Sequence, residues 1–167
     1  IAHSTRPIAI THANPASWHP ARRNKSDTVL KALAESGGML GLSLYPHHLK
    51  GGSQCSLAEF CDMAARAIDV MGPANVGIGS DLCQDQPDSI VEWMRVGRWT
   101  KAIDYGEGSA DAPGFPPMPD WFGDNRDFGN IAEGLKGRGM SEAEVAGIMG
   151  GNWMRFFADS FGPQGAA

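Results

Sequence analysis

Apolar positions along this chain change period several times, and each change marks an element. Residues 7–11, Pro-Ile-Ala-Ile-Thr, are a short β-branched run behind a proline, the signature of a buried strand. Residues 14–24 are rich in Pro, Ser, Trp and His and read as a loop. From Ser26 or Asp27 the spacing turns helical through Val29, Leu30, Leu33 and Ala34, until Gly37 and Gly38 end it. Residues 39–45 are apolar at almost every position, as a strand covered on both faces of a parallel sheet requires. The loop at 46–53 carries His47 and His48. Ser56 and Glu59 form a capping box that opens a helix with an apolar stripe of Leu57, Phe60, Cys61, Ala64, Ile68 and Met71. Gly72-Pro73 stops it, and residues 75–79 form a third strand ahead of Asp81.

Past Asp81 the texture differs. Residues 84–125 hold Trp93, Trp99, Phe115-Pro116-Pro117 and Trp121-Phe122, with a short helix expected over 90–98. A connection this long is usually functional, and its aromatic content predicts an ordered wall beside a site. Another helix is expected over 130–137. A second capping box, Ser141 with Glu144, leads Val145, Ile148 and Met149 into Gly150-Gly151-Asn152. A final amphipathic helix over 152–161 should bury Trp153, Phe156 and Phe157. Two successive strand–helix–strand units imply right-handed parallel crossovers, hence an α/β fold. Three strands leave two bare edges and thin cover, which is hard to stabilise alone.

Composition narrows the classes. At 42% hydrophobic and 20% charged residues, the chain reads as globular, neither disordered nor embedded in a membrane. Its apolar runs are too short for a membrane span, and the polar, glycine-rich 161–167 tail is no lipid-anchor signal. A net charge of -5 argues against nucleic acid, because Arg22, Arg23 and Lys25 are too few to track a phosphate backbone. Cys55, Cys61 and Cys83 are odd in number and lack CxxC spacing, so reduced thiols in a cytoplasmic setting are expected. The chain begins without methionine, which suggests a processed or truncated start.

Three polar groups stand where apolar strands end. His12 closes the first, Arg22-Arg23-Asn24 follow shortly, and Asp81 closes the last. Carboxyl ends of strands are where α/β barrels carry their chemistry. Taken singly, each has an ordinary use: a loop histidine bonding backbone, solvated arginines, an aspartate capping a turn. Each also has a chemical one. Neutral imidazole binds zinc through one nitrogen while the other is held by an acceptor. A guanidinium fork pairs bidentately with a carboxylate. A carboxylate beside a reacting water can carry its proton.

In order and spacing, the segments Ile10-Thr11-His12-Ala13-Asn14, Arg22-Arg23-Asn24, Ser80-Asp81 and Gly150-Gly151-Asn152 resemble the C-terminal half of the membrane (renal) dipeptidase family, peptidase family M19. The resemblance runs from Ser4 to about Phe157 and implies a (β/α)8 TIM-barrel metallohydrolase. This chain would supply the last three strand–helix units, with 1–167 the C-terminal part of one barrel domain and 84–125 its active-site loop. It implies zinc-dependent hydrolysis of dipeptides, with two zinc ions per intact site. His12 would be a zinc ligand, Arg23 the clamp on the substrate carboxylate, and Asp81 the catalytic residue that orients the nucleophile and passes its proton to the leaving amine. Asn24 would hold the loop, and Gly150-Gly151-Asn152 would be structural. His3, His19, His47 and His48 are not read as ligands, although His19 or one of the pair could face the pocket, and Cys83 is a weak nucleophile candidate. The family's usual S-D-F-D-G reads Ser80-Asp81-Leu82-Cys83-Gln84 here. The family's H-x-D pair, bridging glutamate and other histidines would precede Ile1, so the isolated chain is expected to bind zinc weakly and to be inactive. The partner implied is a small dipeptide, with a homodimer left open. Rival readings are a related amidohydrolase on another amide and a non-catalytic barrel relative or fragment.

Overall fold

Backbone hydrogen bonding in the two-strand-helix pattern produces a parallel sheet of three strands in the order β1-β2-β3. The computed structural model describes residues 1, 3–96, 105, 109–111 and 114–162. Strand β1 is Ala9–Ala13, β2 is Met39–Leu42 and β3 is Val76–Ile78. Every residue of β2 is buried, as befits the central strand. The expected α/β class with parallel crossovers is therefore what the described residues form.

Helix α1, Asp27–Glu35, starts where the Ser26 hydroxyl accepts the Val29 N–H, and it buries Leu30 and Leu33. Helix α2, Leu57–Met71, opens on the Ser56–Glu59 capping box and lays Phe60, Cys61, Met63, Ala64, Ala67 and Met71 into the core. It packs against α1 on one side and against α4, Phe128–Gly137, on the other. Helix α3, Asp88–Val96, begins two residues before the expected start. Helix α5, Glu142–Ala146, opens on the Ser141–Glu144 box and runs through a π-type turn at Gly147–Gly151 into α6, Asn152–Phe161.

The long connection between β3 and α4 is an ordered wall over much of its described part. Phe122 is fully buried, the Trp121 Nε1–H donates to the Cys55 carbonyl at 2.7 Å, and the Trp121 ring lies 5.4 Å from that of Phe60. Trp93 departs from this: it is exposed on α3. Trp99 lies outside the described residues.

The last helix is held by polar anchors as much as by its apolar face. The Asn152 amide donates to the carbonyls of Pro73 at 2.8 Å and Val76 at 2.7 Å, and the Trp153 indole donates to that of Ile78 at 2.9 Å. Asn152 therefore fastens α6 to β3, the structural role expected of the Gly-Gly-Asn segment. At the far end Arg6 donates to the Ser160 carbonyl and the Ser160 hydroxyl to that of Pro7, tying α6 to the start of β1. Phe156 is buried as expected, but Phe157 is 47% exposed. It stacks on Trp153 and lines an apolar groove of about 760 Å³ among β1, β3 and α6.

Candidate active site at the carboxyl edge of the sheet

In a parallel sheet all carboxyl ends lie on one edge, so the loops after β1, β2 and β3 share it. His12 lies inside β1, one residue before its end, and not beyond it. Pairing with β2 runs Ile10 to Leu40 and then Ala13 to Leu42, so three residues of β1 advance against two of β2. The bulge falls on Thr11 and His12, and such bulges re-aim side chains beside sites. Room for it comes from two glycines. A Cβ at Gly41 or at Gly79 would stand 2.1 Å or 1.8 Å from the Thr11 carbonyl oxygen, so that oxygen fits only over bare backbone. The half-buried His12 ring has its Nδ1 2.8 Å from the Thr11 hydroxyl, which leaves Nε2 as the ring nitrogen not engaged by that contact.

The loop carrying the arginines is closed at its base and stapled through its middle. Lys25 N–H donates to the Asn14 carbonyl and Ala16 N–H to the Lys25 carbonyl, at 2.9 and 2.8 Å. Asn24, buried, accepts the Asn14 N–H at 2.9 Å and donates to the carbonyls of His19 and His48 at 2.8 and 3.0 Å. The fully buried Asn14 amide donates to the carbonyls of Ser43 and His48, and its Oδ1 accepts the Ser43 N–H at 3.0 Å. Asn24 thus holds the loop, as expected. On the outer side Ser17 donates to Asp27 at 2.7 Å, and Arg66 of α2 pairs with the same aspartate. Arg22 and Arg23 ride on the turn from Ala21 to Asn24, both exposed, and Arg23 has no ion-pair partner among the described residues.

Two residues here escaped sequence reasoning. Asn14 was legible only as part of a motif, and His48 only as a loop histidine. His48 is buried, its carbonyl receives both asparagine amides, and its Nδ1 lies 2.8 Å from the Ser43 hydroxyl. It joins the β1 and β2 loops, so its place is in the scaffold of the site. His47 is half-buried and meets the Tyr45 ring edge-on at 5.5 Å. His19 is half-buried and enters through its carbonyl; His3 is exposed.

Asp81 follows β3 after Gly79 and Ser80, which continue the pairing through Gly79 N–H to the Leu42 carbonyl and Leu44 N–H to the Ser80 carbonyl. Its backbone is left-handed, φ 52°, a conformation that aspartate tolerates better than most residues and that clusters at functional sites. Cys83 donates to the Asp81 carbonyl at 3.6 Å, and burial followed by the Asp81 charge pushes its thiol up. A raised pKa keeps the thiol protonated, so Cys83 is a poor nucleophile. Cys55 is pushed up to about 11, chiefly by burial. Among the described residues no three His, Cys, Asp or Glu side chains are grouped to hold a metal.

The chain matches the family Membrane dipeptidase (Peptidase family M19) over residues 1–102. It belongs to that family. The matched span holds His12, Arg23 and Asp81. Dipeptidase aclJ of Aspergillus oryzae is 25% identical over 155 residues, covering 92% of this chain and 30% of the fungal protein. An amidohydrolase from Pseudomonas aeruginosa shares the fold with a TM-score of 0.83 and 28% identity, over 96% of this chain and 47% of that one. A Rhodobacter sphaeroides metallopeptidase, solved with a phosphinate mimic of the dipeptide L-Ala-D-Ala, gives a TM-score of 0.70 at 20% identity, over 95% of this chain and 37% of its own. This M19 chain therefore spans less than half the length of each of these relatives. No helix among its described residues is long and apolar enough to cross a membrane.

Proposed function

We propose that this chain is the C-terminal part of a zinc metallo-dipeptidase, contributing strands six to eight of a (β/α)8 barrel, with 1–167 belonging to one barrel domain. One observation carries the reading. The residues matching the family's motifs stand at the carboxyl ends of the two outer strands of one parallel sheet, His12 and Arg23 by β1 and Asp81 by β3. Among the described residues the outer edges of β1 and β3 have no strand beside them, which supports the barrel, since further strands would add there.

Each residue then has a defined task. His12 supplies one zinc ligand through Nε2, with Nδ1 tied to Thr11. Zinc, when bound, polarises the scissile carbonyl and acidifies water. Arg23 grips the terminal carboxylate of the dipeptide, which restricts the enzyme to short substrates with a free carboxyl end. Asp81 accepts the proton of the attacking water and returns it to the departing amine nitrogen. With one ligand among these residues, this part alone is inactive. Its unpaired cysteines support a reducing, cytoplasmic setting.

A second reading, hydrolysis of another amide, is favoured by the Leu82-Cys83-Gln84 segment behind Asp81 and by the likeness to the Pseudomonas amidohydrolase. Zinc analysis of the full-length protein, with a panel of dipeptides against N-acylated amino acids, separates the two. The dipeptidase reading expects bound zinc and turnover of free dipeptides. Full activity in the Asp81→Asn enzyme would overturn the role given to Asp81.

A further inference from the structure

His48 is a buried titratable group that the proposed reaction does not use. Its Nδ1 lies 2.8 Å from the hydroxyl of Ser43, which is fully buried just past the end of β2. That hydroxyl also accepts the Tyr45 N–H at 3.2 Å, while the His48 N–H donates to the Tyr45 carbonyl at 2.8 Å. The rings of Tyr45 and His48 meet edge-on at 5.1 Å. Residues 43–48 thus form a tight loop closed by a side-chain bond across its mouth. The place of the His48 main chain depends on its own imidazole.

From that main chain the contacts run outward to the arginine loop. The His48 carbonyl accepts the side-chain amides of Asn24 at 3.0 Å and of Asn14 at 3.2 Å. Asn24 closes the turn that starts at Ala21, donating its N–H to the Ala21 carbonyl at 3.0 Å, with Arg22 and Arg23 between them. Arg23 is exposed, so its guanidinium is aimed chiefly by the turn beneath it. A misplacement of about 1 Å at such a group can cost up to about 100-fold in rate. We propose that His48 is a positioning residue for substrate binding. Held by Ser43, it fixes the carbonyl that seats Asn24, and so sets where Arg23 meets the substrate carboxylate. This inference rests on the clamp role proposed for Arg23.

The test compares His48→Phe, His48→Asn and Ser43→Ala in the full-length enzyme, each also combined with Arg23→Ala. His48→Phe and Ser43→Ala should raise KM for dipeptides about 3- to 10-fold, with kcat changed less. His48→Asn can return an amide to the Ser43 hydroxyl and should recover part of that loss. In the Arg23→Ala background none of the three should raise KM further, because there is no clamp left to misplace. Amide hydrogen exchange over residues 15–24 should quicken in His48→Phe and Ser43→Ala, while α4 to α6 stay as in the parent. Where His48→Phe does not fold, Ser43→Ala, which deletes one atom, carries the same expectation. A KM unmoved in a folded variant overturns the positioning role, as does exchange that does not quicken or a KM rise that persists without Arg23. An unchanged KM in the Arg23→Ala enzyme sinks the clamp reading itself and takes the positioning role with it. That failure is told apart because it shows with His48 and Ser43 intact.

Discussion

Asn24 accepts the backbone N–H of Asn14 at 2.9 Å, and the side-chain amides of both residues converge on the carbonyl of His48. This clasp joins the histidine strand, the arginine loop and the loop after β2. Its atoms are buried, so removing one partner strands the others without water. Asn24→Ala should lower stability by about 2–3 kcal/mol in urea unfolding. It should also speed proteolysis within residues 15–23. Asn24→Asp should cost at least as much as alanine near neutral pH, because it turns a buried oxygen toward the His19 and His48 carbonyls in place of the donating amide.

The crossing of the Thr11 carbonyl over Gly41 and Gly79 gives a sharper expectation. Gly79→Ala forces a methyl group onto backbone, which cannot swing aside as a side chain can. A loss of about 3 kcal/mol or more, or failure to fold, is expected. Gly129→Ala is the control. Nothing lies within 4 Å of its added carbon, and the helical position should gain about 0.5 kcal/mol. Thermal melts of the two variants should move in opposite directions.

Arg23 is exposed and has no ion-pair partner among the described residues, so its removal should spare the fold. In the full-length enzyme Arg23→Ala should raise KM for dipeptides roughly 10- to 100-fold, the scale of a lost bidentate pair, with kcat changed less. Arg23→Lys should recover only part of it, because an ammonium lacks the planar fork. A KM unchanged in Arg23→Ala would remove this residue from substrate binding.

Alkaline titration should expose the buried thiol on α2's approach. Cys55 is raised from 9.0 to about 11 by burial, then by Glu59 and Cys61. The unfolded chain therefore loses this proton first, and the stability Cys55 contributes, complete below pH 9, is lost as pH rises toward 11. Urea midpoints measured across that window should fall less in Cys55→Ala than in the parent chain.

Cys83 should report on Asp81 directly. After burial, the Asp81 charge is what holds its thiol up. Asp81→Asn removes that charge, raises the thiolate fraction and should speed alkylation near pH 8. An unaltered labelling rate would mean that the carboxylate does not act on this thiol.

Much of this was legible in the chain itself. The Ser56–Glu59 and Ser141–Glu144 boxes announce their helices, since a cap needs only residues three apart. The alternation of apolar runs with helical stripes announces a parallel sheet, and the order of His12, Arg23 and Asp81 announces the family. Phe157 has the helical phase of a buried residue, yet it is exposed, because burial depends on what lies opposite. His48 looks like a loop histidine in the sequence for the same reason: its hydrogen bonds come from residues 24 and 34 positions away.

By itself, then, the sequence determined what is local or periodic: helix starts, strand character, the aromatic texture of the long connection after Asp81, and the residue types available at each strand end. Tertiary structure decided what depends on partners distant in the chain. It put a bulge at Thr11 and His12 because Gly41 and Gly79 leave room for one carbonyl, and it made Asn14, Asn24 and His48 a single clasp. Short-range propensity acts within a turn or two of the backbone, whereas a buried hydrogen bond or a steric gap exists only once separate elements have packed.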